Sequence, residues 1–127
     1  MAKIMIVDDD PFARRLMRDS LRLCGDEFEI SEVDRGKLAL ELLTVERPDL
    51  VLLDISMPEV GGIPVCAEIK GNPATASIEI IVVSAHADNE FIAAALASGA
   101  SDFISKPFQP SDLVTRVKKA LGEAVSA

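Results

Sequence analysis

Leu50-Val51-Leu52-Leu53, closed by Asp54, is the stretch on which the reading of the fold turns. It holds four apolar residues in succession and then stops abruptly on an acid. A strand with one wet face alternates apolar and polar positions, so an unbroken run implies a strand covered on both faces, the habit of parallel sheets. Two runs of the same kind flank it. Residues 3–7 are, after Lys3, apolar and largely β-branched and end in Asp8-Asp9-Asp10, and residues 78–83, with Glu79 the one polar position, are equally β-branched and end in Ser84.

Between these runs the period changes to that of a helix. Asp10 can cap a helix with Pro11 at its first position, where a missing N–H costs nothing. Phe12, Leu16, Leu23 and Cys24 recur at helical spacing on that segment, and Gly25 suits its end. Residues 28–33 alternate, which reads as an edge strand. Asp34 is placed to cap a second helix carrying Leu38, Leu42 and Val45, which Pro48 ends. Pro58, Gly61 and Gly62 mark a loop, and a helix is expected over residues 63–70. Residues 71–77 form a polar connection containing Asn72-Pro73. Asp88 starts an alanine-rich helix stopped by Gly99, residues 102–105 form a short fifth strand, and Pro110 opens a last helix with Leu113, Val117 and Leu121 on one face. Five strand–helix units in alternation predict an α/β fold with a parallel sheet covered by helices on both sides. With no linker, low-complexity tract or repeat, residues 1–127 read as one domain.

Composition narrows the function. The 127 residues are 49% hydrophobic, with five Phe and no Trp or Tyr, so the core is aliphatic. A net charge of −8 argues against direct nucleic-acid binding, which needs a basic face to neutralise phosphates. Arg14, Arg15, Arg18 and Arg22 fall on one helix and read first as a solvated face, second as a docking surface for an acidic partner. Cys24 and Cys66 match no zinc spacing and read as reduced, partly buried thiols of a cytoplasmic protein. The amino terminus runs straight into a strand, leaving no room for a signal peptide, and no apolar run approaches the roughly 20 residues of a membrane span.

In open parallel sheets the functional site lies beyond the carboxyl ends of the strands, where the strand order reverses. The residues expected there are Asp8, Asp9 and Asp10 after the first strand, Asp54 after the third, Ser84 after the fourth, and Lys106-Pro107 after the fifth. Asp10 alone is most simply a helix cap, Ser84 alone a turn residue and Lys106 alone a surface lysine; the ensemble is what solubility does not explain. Converging carboxylates repel unless a cation neutralises them, and Mg²⁺ prefers such hard oxygen ligands. A carboxylate beside the metal can act as a nucleophile towards a phosphoryl group, with Lys106 and the Ser84 hydroxyl placed to stabilise its oxygens. Backbone N–H groups of residues 55–57 could add to this.

The stretches Ile6-Val7-Asp8-Asp9-Asp10, Asp49-Leu50-Val51-Leu52-Leu53-Asp54-Ile55-Ser56-Met57-Pro58, Val82-Val83-Ser84-Ala85 and Asp102-Phe103-Ile104-Ser105-Lys106-Pro107-Phe108 resemble the receiver domains of two-component response regulators. The resemblance spans essentially the whole chain in order. It implies a flavodoxin-like, doubly wound, five-stranded (βα)5 sheet of order 2-1-3-4-5. It implies that Asp54 is the phosphoacceptor, that Asp8 and Asp9 hold Mg²⁺ with Asp54 and the backbone carbonyl of Ser56, and that Mn²⁺ substitutes. Ser84 then meets the phosphoryl group, Lys106 pairs with one of its oxygens, and Phe103 is the switch aromatic. The Lys106–Pro107 bond is often cis in the family. Ser56 and His86, two residues after the phosphoacceptor and the hydroxyl, are expected to influence dephosphorylation. The implied partners are a histidine kinase or histidine phosphotransfer protein, and a downstream protein contacting the fourth helix, fifth strand and fifth helix. Glu90, Phe91, Phe108 and Asp112 are the candidates exposed there. Ser84 stands where Thr is commoner, Phe103 lacks the hydroxyl of the frequent Tyr, and Val60-Gly61-Gly62 replaces a frequent Met-Asp-Gly. On this resemblance the chain is a phosphoacceptor switch rather than an enzyme acting on a separate substrate. Two alternatives use the same residues otherwise: a phosphatase resembling the haloacid dehalogenase class with Asp8 as nucleophile, and a binding module such as a flavin carrier or pseudo-receiver.

Overall fold

The computed structural model describes residues 2–24, 27–54 and 61–125. The strands are β1 (Ala2–Val7), β2 (Phe28–Val33), β3 (Leu50–Leu53), β4 (Glu79–Ser84) and β5 (Asp102–Ser105). The helices are α1 (Pro11–Leu21), which runs on into one 3₁₀ turn (Arg22–Cys24), α2 (Gly36–Glu46), α3 (Gly62–Gly71), α4 (Asn89–Ala97) and α5 (Pro110–Val125). All strand pairs are parallel, in the order β2-β1-β3-β4-β5.

Side-chain alternation sends each central strand into two cores at once. Met5, Val7, Val51, Leu53, Ile80 and Val82 face one side, where they meet Ala39 and Leu43 of α2, Val65, Cys66 and Ile69 of α3, and Ala95 of α4. Ile4, Ile6, Leu50, Leu52, Ile81 and Val83 face the other, against Met17 and Leu21 of α1 and Leu113, Val117 and Leu121 of α5. This two-sided burial is why residues 50–53 carry no polar position: each such side chain contributes about 1.5–3 kcal/mol by leaving water. One register row, Val33–Val7–Leu53–Val82–Phe103, crosses the whole sheet, at the ends of β2, β1 and β3 and two residues short of the ends of β4 and β5.

Helix termini follow local chemistry, with one correction. The Asp10 side chain accepts from the Phe12 N–H and caps α1, and Asp88 accepts from the Phe91 N–H and caps α4. Asp34 does not cap α2: the helix starts one residue later, Arg35 takes the cap position without a side-chain hydrogen bond, and the Asp34 carboxylate pairs with Arg35 instead. The helix faces need a second correction. Phe12, Leu16 and Leu23 are exposed, Phe12 by 83%, because α1 turns Met17, Ser20 and Leu21 to the sheet. Val45 likewise faces solvent, while Ala39 and Leu43 are the buried residues of its helix.

Candidate functional site

Between β1 and β3 the strand order reverses. The chain leaves β1 towards β2 on one side, and leaves β3 towards β4 on the other, so the connections diverge and open a cleft over the strands' carboxyl ends. The ladder continues one step past the strands and fixes the backbone there. The Asp8 N–H donates to the Val33 carbonyl at 3.1 Å, the Asp54 N–H to Val7 at 3.0 Å, and the Lys106 N–H to Ser84 at 2.9 Å.

Three carboxylates converge in this cleft. Asp8 is fully buried, Asp54 nearly so, and Asp9 is exposed; one oxygen of each lies within 4.8 Å of the other two. The Lys106 ammonium, directly after β5 and before a cis Lys106–Pro107 bond, donates to Asp8 Oδ2 at 2.7 Å and stands 3.7 Å from Asp54 Oδ2. Burial pushes the Asp8 carboxyl above its ordinary range. The hydrogen bonds from Lys106 and the Asp10 N–H oppose that rise, and the charge of Asp54 adds to it. Burial alone would lower the Lys106 ammonium, but the Asp8 hydrogen bond and the charges of Asp8, Asp54 and Asp10 outweigh it and hold the amine above its usual value. Lys106 is therefore a permanent cation at neutral pH.

Three carboxylates against one ammonium leave two net negative charges, which one divalent cation balances. The donors are all hard oxygens, and Asp9 faces solvent, so the set fits Mg²⁺ or a similar ion that keeps part of its water shell. Asp10 is the cap it was read as: its Oδ1 accepts from Phe12, and its N–H donates to Asp8 Oδ1 at 2.9 Å.

The remaining residues surround this centre. Ser84 is buried, and its Oγ accepts from the His86 N–H at 3.1 Å. His86 is exposed, with its ring centroid 3.7 Å from that of Phe91 and its Nε2 3.7 Å from Asp88 Oδ2. Phe103 is half-buried against the core beneath α2–α4. Arg116 ties α5 to β5 through Asp102 Oδ1 at 2.7 Å. Glu90 and Asp112 are exposed as expected, whereas Phe91 and Phe108 are half-buried against the two cores. Ser56, and the backbone of residues 55–57 with it, lies outside the described residues. Of the basic residues on α1, Arg14 and Arg18 are no free solvated face: both pair with Glu32 of β2. Arg14 also donates to the Asp8 carbonyl at 2.7 Å, a contact the sequence reading missed. Cys66 is wholly buried and free, not partly buried.

The family model of the response regulator receiver domain matches residues 4–118. The chain belongs to this family. This receiver domain is 40% identical over 119 residues to the chemotaxis protein CheY of Bacillus subtilis, covering 94% of this chain and 97% of that one. It is 37% identical over 119 residues to the DNA-binding response regulator MtrA of Mycolicibacterium smegmatis, covering 94% of this chain and 50% of that one. The chain thus spans about half the length of MtrA. Among solved structures, the BeF3-activated DrrB receiver domain superposes with a TM-score of 0.84 at 29% identity, covering 96% and 98% of the two chains. A CheY-like receiver domain from Methanospirillum hungatei gives 0.90 at 26%, covering 99% and 98%. The flavodoxin-like fold with order 2-1-3-4-5 is as expected, and the receiver domain is a component of two-component signalling. The haloacid dehalogenase reading is disfavoured: Asp8, its required nucleophile, is buried with one oxygen on Lys106 and the other on the Asp10 N–H. The flavin reading is disfavoured by the acids standing where a phosphate would sit. Among the described residues no helix is long and apolar enough to cross a membrane.

Proposed function

We propose that Asp54 accepts a phosphoryl group from a phosphohistidine on a histidine kinase or histidine phosphotransfer protein, and that Asp8, Asp9, Asp54 and the Ser56 carbonyl hold the Mg²⁺ this transfer needs. The observation that carries the reading is Lys106 standing between the Asp8 and Asp54 carboxylates, with the open Asp9 beside them. An oxygen of Asp54 attacks phosphorus in line, the P–N bond to the donor imidazole breaks, and that nitrogen takes a proton. Bound Mg²⁺, or Mn²⁺ in its place, supplies charge neutralisation of the phosphoryl oxygens. Lys106 sits close enough to Asp54 to follow the new charge, shifting from Asp8 towards a phosphoryl oxygen. Ser84 Oγ uses a lone pair on the His86 N–H, which leaves its own proton to donate inward.

The switch follows from that donation. As Ser84 turns to the phosphoryl group, the half-buried Phe103 packs deeper, and the surface of α4, β5 and α5 favours a different protein partner. This is a population shift between two states. Glu90 and Asp112 are the exposed residues of that surface, with Phe91 and Phe108 at its apolar edge. Ser56 and His86 set the rate at which the acyl phosphate is lost. Residues 1–127 act as one cytoplasmic receiver module working through protein contact, with no direct hold on nucleic acid.

The test is incubation with acetyl phosphate or beryllofluoride, with and without Mg²⁺, followed by intact mass and amide spectra. The wild type should gain one phosphoryl group, or shift its spectrum, only when Mg²⁺ is present, and Asp54→Asn should do neither. Equal labelling of that variant would remove Asp54 from its role.

A further inference from the structure

Asp9 is the exposed member of the acidic cluster, and among the described residues its carboxylate takes no hydrogen bond or ion pair. Among the described residues nothing at its tip holds it in place, which leaves the backbone to do so. That backbone is pinned on both sides. On the far side, the Asp10 N–H donates to Asp8 Oδ1 at 2.9 Å. On the near side, Arg14 Nη1 donates to the Asp8 carbonyl at 2.7 Å, which fixes the plane of the Asp8–Asp9 peptide. Arg14 is itself anchored, its Nε 3.3 Å from Glu32 Oε1 and its side chain only 19% exposed. We propose that Arg14 is a positioning residue for the cation site, holding the Asp8–Asp9 peptide so that the Asp9 carboxylate stays within reach of Asp8 and Asp54. The proposal rests on the reading of the three aspartates as a Mg²⁺ site.

Its sign separates it from simple electrostatics. Arg14 is a cation near a cation site, so Coulomb's law alone makes its removal strengthen Mg²⁺ binding. A positioning role makes removal weaken it, as loss of a group that orients a metal ligand typically does, by roughly tenfold. Arg18 is the matched control: it carries the same charge on the same helix and pairs with the same Glu32 at 3.2 Å, but it makes no hydrogen bond or ion pair with Asp8.

The experiment is calorimetric titration of Mg²⁺ into wild type, Arg14→Met, Arg18→Met and Glu32→Gln at fixed ionic strength, with melting curves to establish that each is folded. The expected result is roughly tenfold weaker binding by Arg14→Met, near-wild-type binding by Arg18→Met, and a smaller loss for Glu32→Gln, which keeps the Asp8 contact but removes its anchor. Equal or tighter binding by Arg14→Met overturns the proposal. So does equal weakening in the Arg14 and Arg18 variants, which would assign the effect to the tie between α1 and β2 as a whole. Should Arg14→Met fail to fold, Glu32→Gln decides: an unchanged affinity there overturns the proposal. A wild type that takes up no Mg²⁺ overturns the reading of the site itself, whereas failure of the Arg14 variant alone leaves that reading standing.

Discussion

Asp8 is fully buried, and that burial pushes its carboxyl above the ordinary range. A carboxyl with a raised folded-state pKa contributes its stability below the unfolded value and loses it as pH rises through the folded one. At neutral pH the ionised Asp8 is therefore a net cost to the metal-free protein, one that the proposed cation site accounts for. Asp8→Asn keeps one oxygen, for the Asp10 N–H, and drops both the charge and the acceptor of Lys106, whose ammonium still stands 3.7 Å from Asp54 Oδ2. It should raise metal-free stability by about 1 kcal/mol, a rise in Tm of roughly 3–5 °C for a chain of this size. The same variant should lose the further rise that Mg²⁺ is expected to give the wild type. Melting curves with and without Mg²⁺ check both, and a lower metal-free Tm would contradict the assignment of strain to Asp8. Residue-level chemistry at the strand ends was largely legible in the sequence, because each of Asp8, Asp54 and Ser84 ends an apolar run that names its place. Arg14 was not legible: its acceptor is a main-chain carbonyl, which has no sequence signature, and its anchor Glu32 lies 18 positions away.

At the scale of single elements, caps and faces give sharp contrasts. Asp88 caps α4 through the Phe91 N–H, so Asp88→Ala should cost about 1 kcal/mol. Asp34 does not cap α2 and its ion pair with Arg35 is exposed, so Asp34→Ala should stay within about 0.5 kcal/mol of wild type. On α1, Leu21→Ala should cost about 2–5 kcal/mol and Phe12→Ala well under 1 kcal/mol, although both side chains are apolar. Denaturant unfolding of the four variants tests all of this, and a Phe12 loss as large as that of Leu21 would mean that α1 is rotated from its described orientation. The misreading of α1 has a physical origin. Its apolar residues lie on two faces, and spacing alone cannot say which faces the sheet; Ser20 settles it in three dimensions because its hydroxyl is satisfied by the Leu16 carbonyl and can be buried. Strands were easier, since a run covered on both sides, such as Leu50–Leu53, admits only one reading.

For the molecule as a whole, Cys66 is a built-in reporter. It is fully buried between the sheet and the helices that cover it, with its thiol donating to the Ser98 carbonyl. Burial pushes that thiol up, beyond what the Ser98 contact and the charge of Lys70 pull back. Below the unfolded thiol's pKa the neutral, buried form costs nothing, and the stability it contributes is lost as pH rises through its raised folded value. Alkaline conditions should thus favour unfolding through Cys66. Near neutral pH, a thiol reagent should modify Cys66 only as fast as the fold opens, orders of magnitude more slowly than in denaturant. Mass-resolved labelling kinetics at Cys66 measure this, and rapid native labelling would place an opening on the α3–α4 side of the sheet.

The hydrogen bond between Lys106 and Asp8 joins residues 98 positions apart. During synthesis the acids of β1 and β3 leave the ribosome long before the lysine that balances them. A chain released short of β5 carries the carboxylates without their ammonium, and the row from Val33 to Phe103 lacks its last member. On the proposed reading, competence to receive a signal is conferred by the final strand and the lysine behind it, so copies truncated before Lys106 should be silent and should draw few phosphoryl groups from the donor.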